Sequence, residues 1–248
     1  MSVSSILSKL NDLNNSNLIS VYVPSARKEM SFKPLSVKQQ KDLIKSGLDG
    51  ALSGITISNI IGEIILDNTV EKYDFLVTDK LPILIALRKQ SFGSIFVLKE
   101  DDTEIEFNLD TILKNKLNYS FDTQVEVKLA NSEVVAYVDV IKIQDDIKIN
   151  EYQLEKLRKN KDEAISETVG SMFIYEIIKF VTKILIGSDE LDLTTLPIKD
   201  RLTVIESVPV TLNNSILEYI QQFRKEEAEY VTVDGKALPI DARLFAKE

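Results

Sequence analysis

The sequence contains no cysteine, no histidine and no tryptophan. Without Cys and His, the chain has no internal disulfide, no Cys/His zinc site, no thiol nucleophile and no His-centred triad of its own. A Cys-free chain also fits maturation in a reducing cytoplasm. Glycine is scarce, with eight residues, and these form neither a dinucleotide fingerprint nor a P-loop. Gly47, Gly50 and Gly54 lie between two helical segments, whereas both motifs need a strand-to-helix turn. No cofactor is expected.

Long apolar runs are also lacking. The nearest to one is Met172 to Ile186, which carries Glu176, Lys179 and Lys183 at helical spacing. A bilayer span needs about 20 predominantly apolar residues, so no membrane span is expected. The segment reads instead as one apolar helix with a narrow polar stripe, ended by Gly187, either in the core or at a subunit interface. The opening residues, Met-Ser-Val-Ser-Ser-Ile-Leu, do not form the charged start and apolar stretch of a secretory signal. Basic charge is in deficit: 30 Lys and Arg against 39 Asp and Glu leave a formal charge of −9. The field of such a chain repels phosphate backbones, which argues against nucleic acid as a partner.

What is present is ordinary globular material, 44% hydrophobic and 28% charged, enough to build a core. Residues 1–17 are rich in Ser and Asn, with Ile6, Leu7, Leu10 and Leu13 at amphipathic spacing; they predict an N-terminal arm or a short docking helix. Residues 18–23 and 30–35 alternate around Pro24-Ser25-Ala26-Arg27 and predict a β-hairpin. Ser36 with Gln39 forms a capping box before a helix to about Ser46. Ile57, Ile60, Ile61, Ile64 and Ile65 mark a second helix, and Leu81, Leu84 and Ile85, with Pro82 near its start, a third.

From Ser94 to about Ile149 the period becomes two, predicting an antiparallel sheet, with a short helix from Leu109 to Leu117 capped by Asp110. Residues 151–228 return to helical patterns, and Asp234-Gly235 marks a terminal hairpin. The fold class expected is α+β: an N-terminal β-hairpin plus helices, an antiparallel sheet in the middle, and a C-terminal helical region ending in a β-hairpin. The divisions are 1–17 as an arm, 18–150 as an α+β domain, and 151–248 as a helical domain with the hairpin.

Candidate chemistry is sparse. Asp101, Asp102 and Glu104 could hold a divalent cation or hydrolyse a glycan, since neither needs His or Cys, but their spacing matches no calcium loop. They read as a solvated turn. A carboxylate hydrolase acting on cell-wall glycan stays a remote alternative, and no enzyme activity is expected.

Three stretches together resemble the baseplate hub family of T-even-like bacteriophages: Val23 to Leu43 with its Pro-Ser turn, Phe32-Lys33-Pro34 strand end and Lys-rich helix; Ile105-Glu-Phe-Asn-Leu-Asp110; and the tail from Glu229 to Phe245. The resemblance implies a structural or assembly component of the hub of a contractile tail. It would sit in the virion baseplate after assembly in the host cytoplasm. Its partners would be other hub and tail proteins, with the tape-measure protein among the options and a homo-oligomer another; the alternative role is a transient tail-assembly chaperone. The residues expected to carry partner binding are Phe32, Leu35, Lys38 and Lys41 on the hairpin–helix segment, and Tyr230, Leu244 and Phe245 on the tail. The strand end at Pro34, which lacks a donor, is expected at a sheet edge open to a neighbour's strand.

Overall fold

The computed structural model describes residues 2–48, 50–100, 103–115, 124–130, 132–159 and 165–246. The fold is α+β, and the chain divides into two compact units, 1–116 with 230–248 and 117–229. The C-terminal hairpin therefore belongs with the N-terminal residues, unlike the division at 150 drawn from the sequence.

The first unit begins with helix α1 (Val3–Ser16) and the hairpin β1 (Ile19–Val23) and β2 (Lys28–Phe32), paired from Ile19↔Phe32 to Val23↔Lys28. Arg27 closes the turn at φ 52°. Alternation puts Val21, Val23, Met30 and Phe32 on the inner face, where they are buried. Helix α2 (Val37–Ser46) starts on the expected capping box: Gln39 N donates to Ser36 Oγ at 3.2 Å, and Ser36 N donates to Gln39 Oε1 at 3.0 Å. Helices α3 (Ser53–Asn68) and α4 (Lys80–Phe92) follow. Ile57, Ile61, Ile64 and Ile65 of α3 are buried, as are Ile83, Leu84, Ile85 and Leu87 of α4. Consecutive buried residues make α4 a core helix, and it packs against β1.

The outer edge of β2 is not open at its end. Lys33 N donates to Asn68 O at 2.8 Å and Val70 N to Ser31 O at 3.2 Å, so the chain leaving α3 occupies the place expected for a neighbour's strand. A second hairpin, β3 (Ile95–Glu100) and β4 (Thr103–Asn108), sets Phe96 opposite Phe107 with ring centroids 6.1 Å apart. The short helix α5 (Leu109–Lys114) is capped by Asn108, whose Oδ1 accepts from Asp110 N and Thr111 N, and not by Asp110 itself. Asp101 and Asp102 lie outside the described residues.

The second unit is a four-stranded antiparallel sheet ordered β5 (Val125–Lys128), β6 (Val134–Val138), β7 (Val181–Ile186), β8 (Asp189–Asp192), with helices α6 (Ile143–Lys159), α7 (Ile165–Ile178), α8 (Ile198–Glu206) and α9 (Val210–Tyr230). The single apolar helix expected from Met172 to Ile186 is two elements. Helix α7 stops at Ile178, Lys179 and Phe180 turn the chain, and β7 pairs with β6 from Val134↔Ile186 to Val138↔Val181. Gly187 is a hairpin residue at φ 61° rather than a helix cap. Sheet pairing decides the matter, because β-branched Val181, Thr182, Ile184 and Ile186 suit a pleated surface as well as a helix. After α9 the chain forms β9 (Thr232–Val233) and β10 (Lys236–Ala237) on Asp234-Gly235, both with positive φ as a two-residue hairpin of this type requires. Asp241 then caps a 3-10 turn, Ala242–Phe245.

Candidate partner-binding site

The residues expected to bind partners separate into two groups. Phe32, Tyr230, Leu244 and Phe245 are buried within the first unit. Phe32 packs on Phe75, with ring centroids 5.7 Å apart. Burial pushes the Tyr230 phenol up to about 12, and its carbonyl accepts from Asn115 Nδ2. The Leu244 carbonyl accepts from Arg88 Nε at 3.2 Å, and that of Phe245 from Gln40 Nε2 at 3.0 Å. These four are core residues and cannot serve as exposed anchors. Leu35 is half-buried, while Lys38 and Lys41 are exposed. The lysines of α2 therefore remain from the expected site, and the tail does not join them at the surface.

Local packing determines which way α2 faces. Leu43 and Ser46 point inward, Gln39 Nε2 donates to Asn68 Oδ1 at 2.7 Å, and Gln40 reaches the Phe245 carbonyl. The opposite side carries Val37, Lys38, Lys41, Ile44 and Lys45, with Leu48 in the turn that follows, all exposed. At about 100° per residue these six fall within about 120° of arc. Val37 at 82% and Leu48 at 84% exposure are nearly bare. Lys38, Lys41 and Lys45 make no ion pair with a described residue. The face thus combines three apolar side chains with three exposed ammonium groups on a chain of net charge −9.

Beside it, a shallow groove of about 460 Å³ runs between α2 and α3, with Lys38 and Lys45 on one wall and Glu63 and Asp67 on the other. Val37, Ile44 and Leu48 join the expected lysines on this face. Their signal was available: 37, 44 and 48 recur at seven and four residues, one helix face apart from the buried Leu43.

A cluster of charged side chains lies within the second unit. Lys179 Nζ lies 3.3 Å from Asp146 Oδ1 and 3.1 Å from Glu176 Oε1. Arg224 bridges Glu176 and Glu227, each at 2.8 Å, and Asn150 Nδ2 donates to Asp146 Oδ2 at 3.2 Å. Burial pushes the Glu176 carboxyl up, but Lys179 and Arg224 outweigh it and hold the group below its ordinary value. Each of these charges meets a counter-charge, so the cluster is a strut joining α6, α7 and α9. Among the described residues, no group of three or more Asp or Glu side chains is placed to hold a metal ion, and no helix is long and apolar enough to cross a membrane.

The fold and this face define an α+β protein that presents a mixed apolar and basic helix to its surroundings. No family model, no curated protein and no solved structure matches the chain.

Proposed function

We propose that the chain is a structural or assembly component of the baseplate hub of a contractile phage tail, working through protein–protein contacts and not as an enzyme. The observation that carries the reading is the outward face of α2. Val37, Ile44 and Leu48 supply apolar area, and Lys38, Lys41 and Lys45 surround it with charge that selects and orients an acidic partner. The occupant fitting that chemistry is an acidic amphipathic segment of another hub or tail protein. The resemblance of Val23 to Leu43 to the hub family covers this same helix.

The test is recruitment. The double variant Lys38→Glu with Lys41→Glu changes two exposed groups and is expected to shift stability by no more than about 0.5 kcal/mol each. Its incorporation into baseplates, followed by mass spectrometry of purified tails and of assembly intermediates, is expected to fall sharply. Presence of the wild-type chain in intermediates but not in finished tails would make it an assembly chaperone. Normal incorporation of a normally folded double variant would remove the α2 face from the proposal.

A further inference from the structure

The four-stranded sheet of the second unit ends at β8 with one of its core-facing side chains uncovered. The register sets Val127, Ala136, Ile184 and Leu191 in one row on the face that carries the core. Ala136 and Ile184 are buried, whereas Leu191, last in the row, is 40% exposed. All four residues of β8 are exposed.

The backbone is open along the same edge. Gly187 and Ser188 make a two-residue turn, so Ile186 and Asp189 form a hydrogen-bonded pair, and by alternation Ile184 and Leu191 form the next. The neighbouring ladder agrees with this phase, since Gly187 N donates to Glu133 O at 3.1 Å. Glu190 lies between the two bonded pairs, so its N–H and C=O point away from β7. Among the described residues, none bonds to either group.

Charge decides what can fill this edge. Glu190 and Asp192 stand on the sheet face opposite to Leu191, and Asp189 precedes them. Glu190 bridges to Lys183 at 2.8 Å, yet its side chain remains 55% exposed and within reach of a second cation. Residues 117–229 hold 21 acidic and 13 basic side chains, so the field of the second unit draws in cationic segments. The β8 edge of a second copy would set acid against acid, which destabilises a strand pair.

We propose that β8 receives an extended basic segment of a partner protein as a fifth strand. Lys or Arg would stand beside Glu190 and Asp192, and an apolar residue would cover Leu191, while the Glu190 backbone supplies the ladder bonds. This edge shares no residue with the lysine face of α2 and does not depend on the hub reading.

The test uses the full chain, isotope-labelled, and a short capped peptide alternating Lys and Val as the probe. Amide spectra are expected to shift along β8, and the Glu190 amide should become protected from hydrogen exchange. A peptide alternating Glu and Val should do neither. Glu190→Pro removes the outward N–H without touching the ladder to β7, a place where an edge strand tolerates proline. It should bind the Lys-Val peptide about tenfold more weakly than Glu190→Gln, which loses the same charge and keeps the donor. Circular dichroism checks that both variants fold, and protection of the Glu190 amide in the unaltered chain needs neither. Lys38→Glu with Lys41→Glu, which tests the α2 face, should leave this binding unchanged. No binding of the Lys-Val peptide, binding without protection at Glu190, equal binding of the Glu-Val peptide, or equal affinities of the Pro and Gln variants would each overturn the proposal.

Discussion

Gly47, at the end of α2, is the only residue type that fits against Ala242. A Cβ placed on Gly47 would lie 2.7 Å from the Ala242 Cβ, closer than two carbons can approach. The backbone at Gly47 has an ordinary φ of −66°, so the requirement comes from the neighbour and not from the turn. Through this contact, and through Arg88 Nε and Gln40 Nε2 on two carbonyls of the same turn, the segment Ala242–Phe245 is locked onto α2 and α4.

Gly47→Ala should therefore destabilise the first unit by about 1–3 kcal/mol, the range of overpacking in a well-filled core. Ala242→Gly in the same chain should restore most of the loss. Urea unfolding of the two single variants and the double variant measures the coupling. Additive losses would show that the two sites do not meet.

Lys179 and Asp146 have side chains only 9 and 4% exposed, so removing Lys179 takes from a buried carboxylate the ammonium group that faces it, while the hydrogen bond from Asn150 stays. Lys179→Met should cost about 3–5 kcal/mol, the range for a broken buried ion pair. Neutralising the carboxylate with Asp146→Asn in the same chain should recover part of that loss, because a buried charge without a nearby counter-charge is costly. The comparison needs thermal or denaturant melts of both variants. A loss of under 1 kcal/mol from Lys179→Met would mean the pair is not desolvated in solution.

The two units should respond oppositely to acid. Burial raises the Asp79 carboxyl above its ordinary 3.8, despite hydrogen bonds donated by the Ser25 hydroxyl, Ser25 N and Leu76 N. The folded first unit then binds this proton more tightly than the unfolded chain does. The contribution of Asp79 is complete below 3.8 and declines as pH rises through the folded value. Glu176 in the second unit is held below 4.5, so its contribution is present above 4.5 and is lost as pH falls through the folded value. Hydrogen exchange followed from pH 7 to 4 should show the second unit losing protection relative to the first. Glu176→Gln should flatten the response of the second unit, and Asp79→Asn that of the first. Parallel pH profiles in both variants would contradict the assignment.

Much of the local structure was legible. Ser36 and Gln39 cap α2 as their spacing indicates, and Asp234-Gly235 makes the last hairpin, because both features rest on residues within three positions of each other. Met172 to Ile186 was misread for the opposite reason. No glycine or proline marks the break at Lys179-Phe180, and its apolar residues satisfy a helical period and a strand face alike. The same limit applied to the binding residues: Lys38 and Lys41 are exposed, while Tyr230, Leu244 and Phe245, expected as partner-binding anchors on the tail, are interior.

The sequence by itself determined the chemistry open to this protein. Lacking Cys and His, it has no thiol, disulfide or imidazole chemistry of its own, and short-range capping and turn residues set several of its element starts. Only the tertiary structure decided which apolar residues remain outside. Leu244 is covered because Arg88, 156 positions away, binds its carbonyl, and Val181 to Ile186 becomes a strand because β6 offers a ladder more than forty residues earlier. Burial and strand pairing are set by distant partners, and those partners are brought together only by the folded chain.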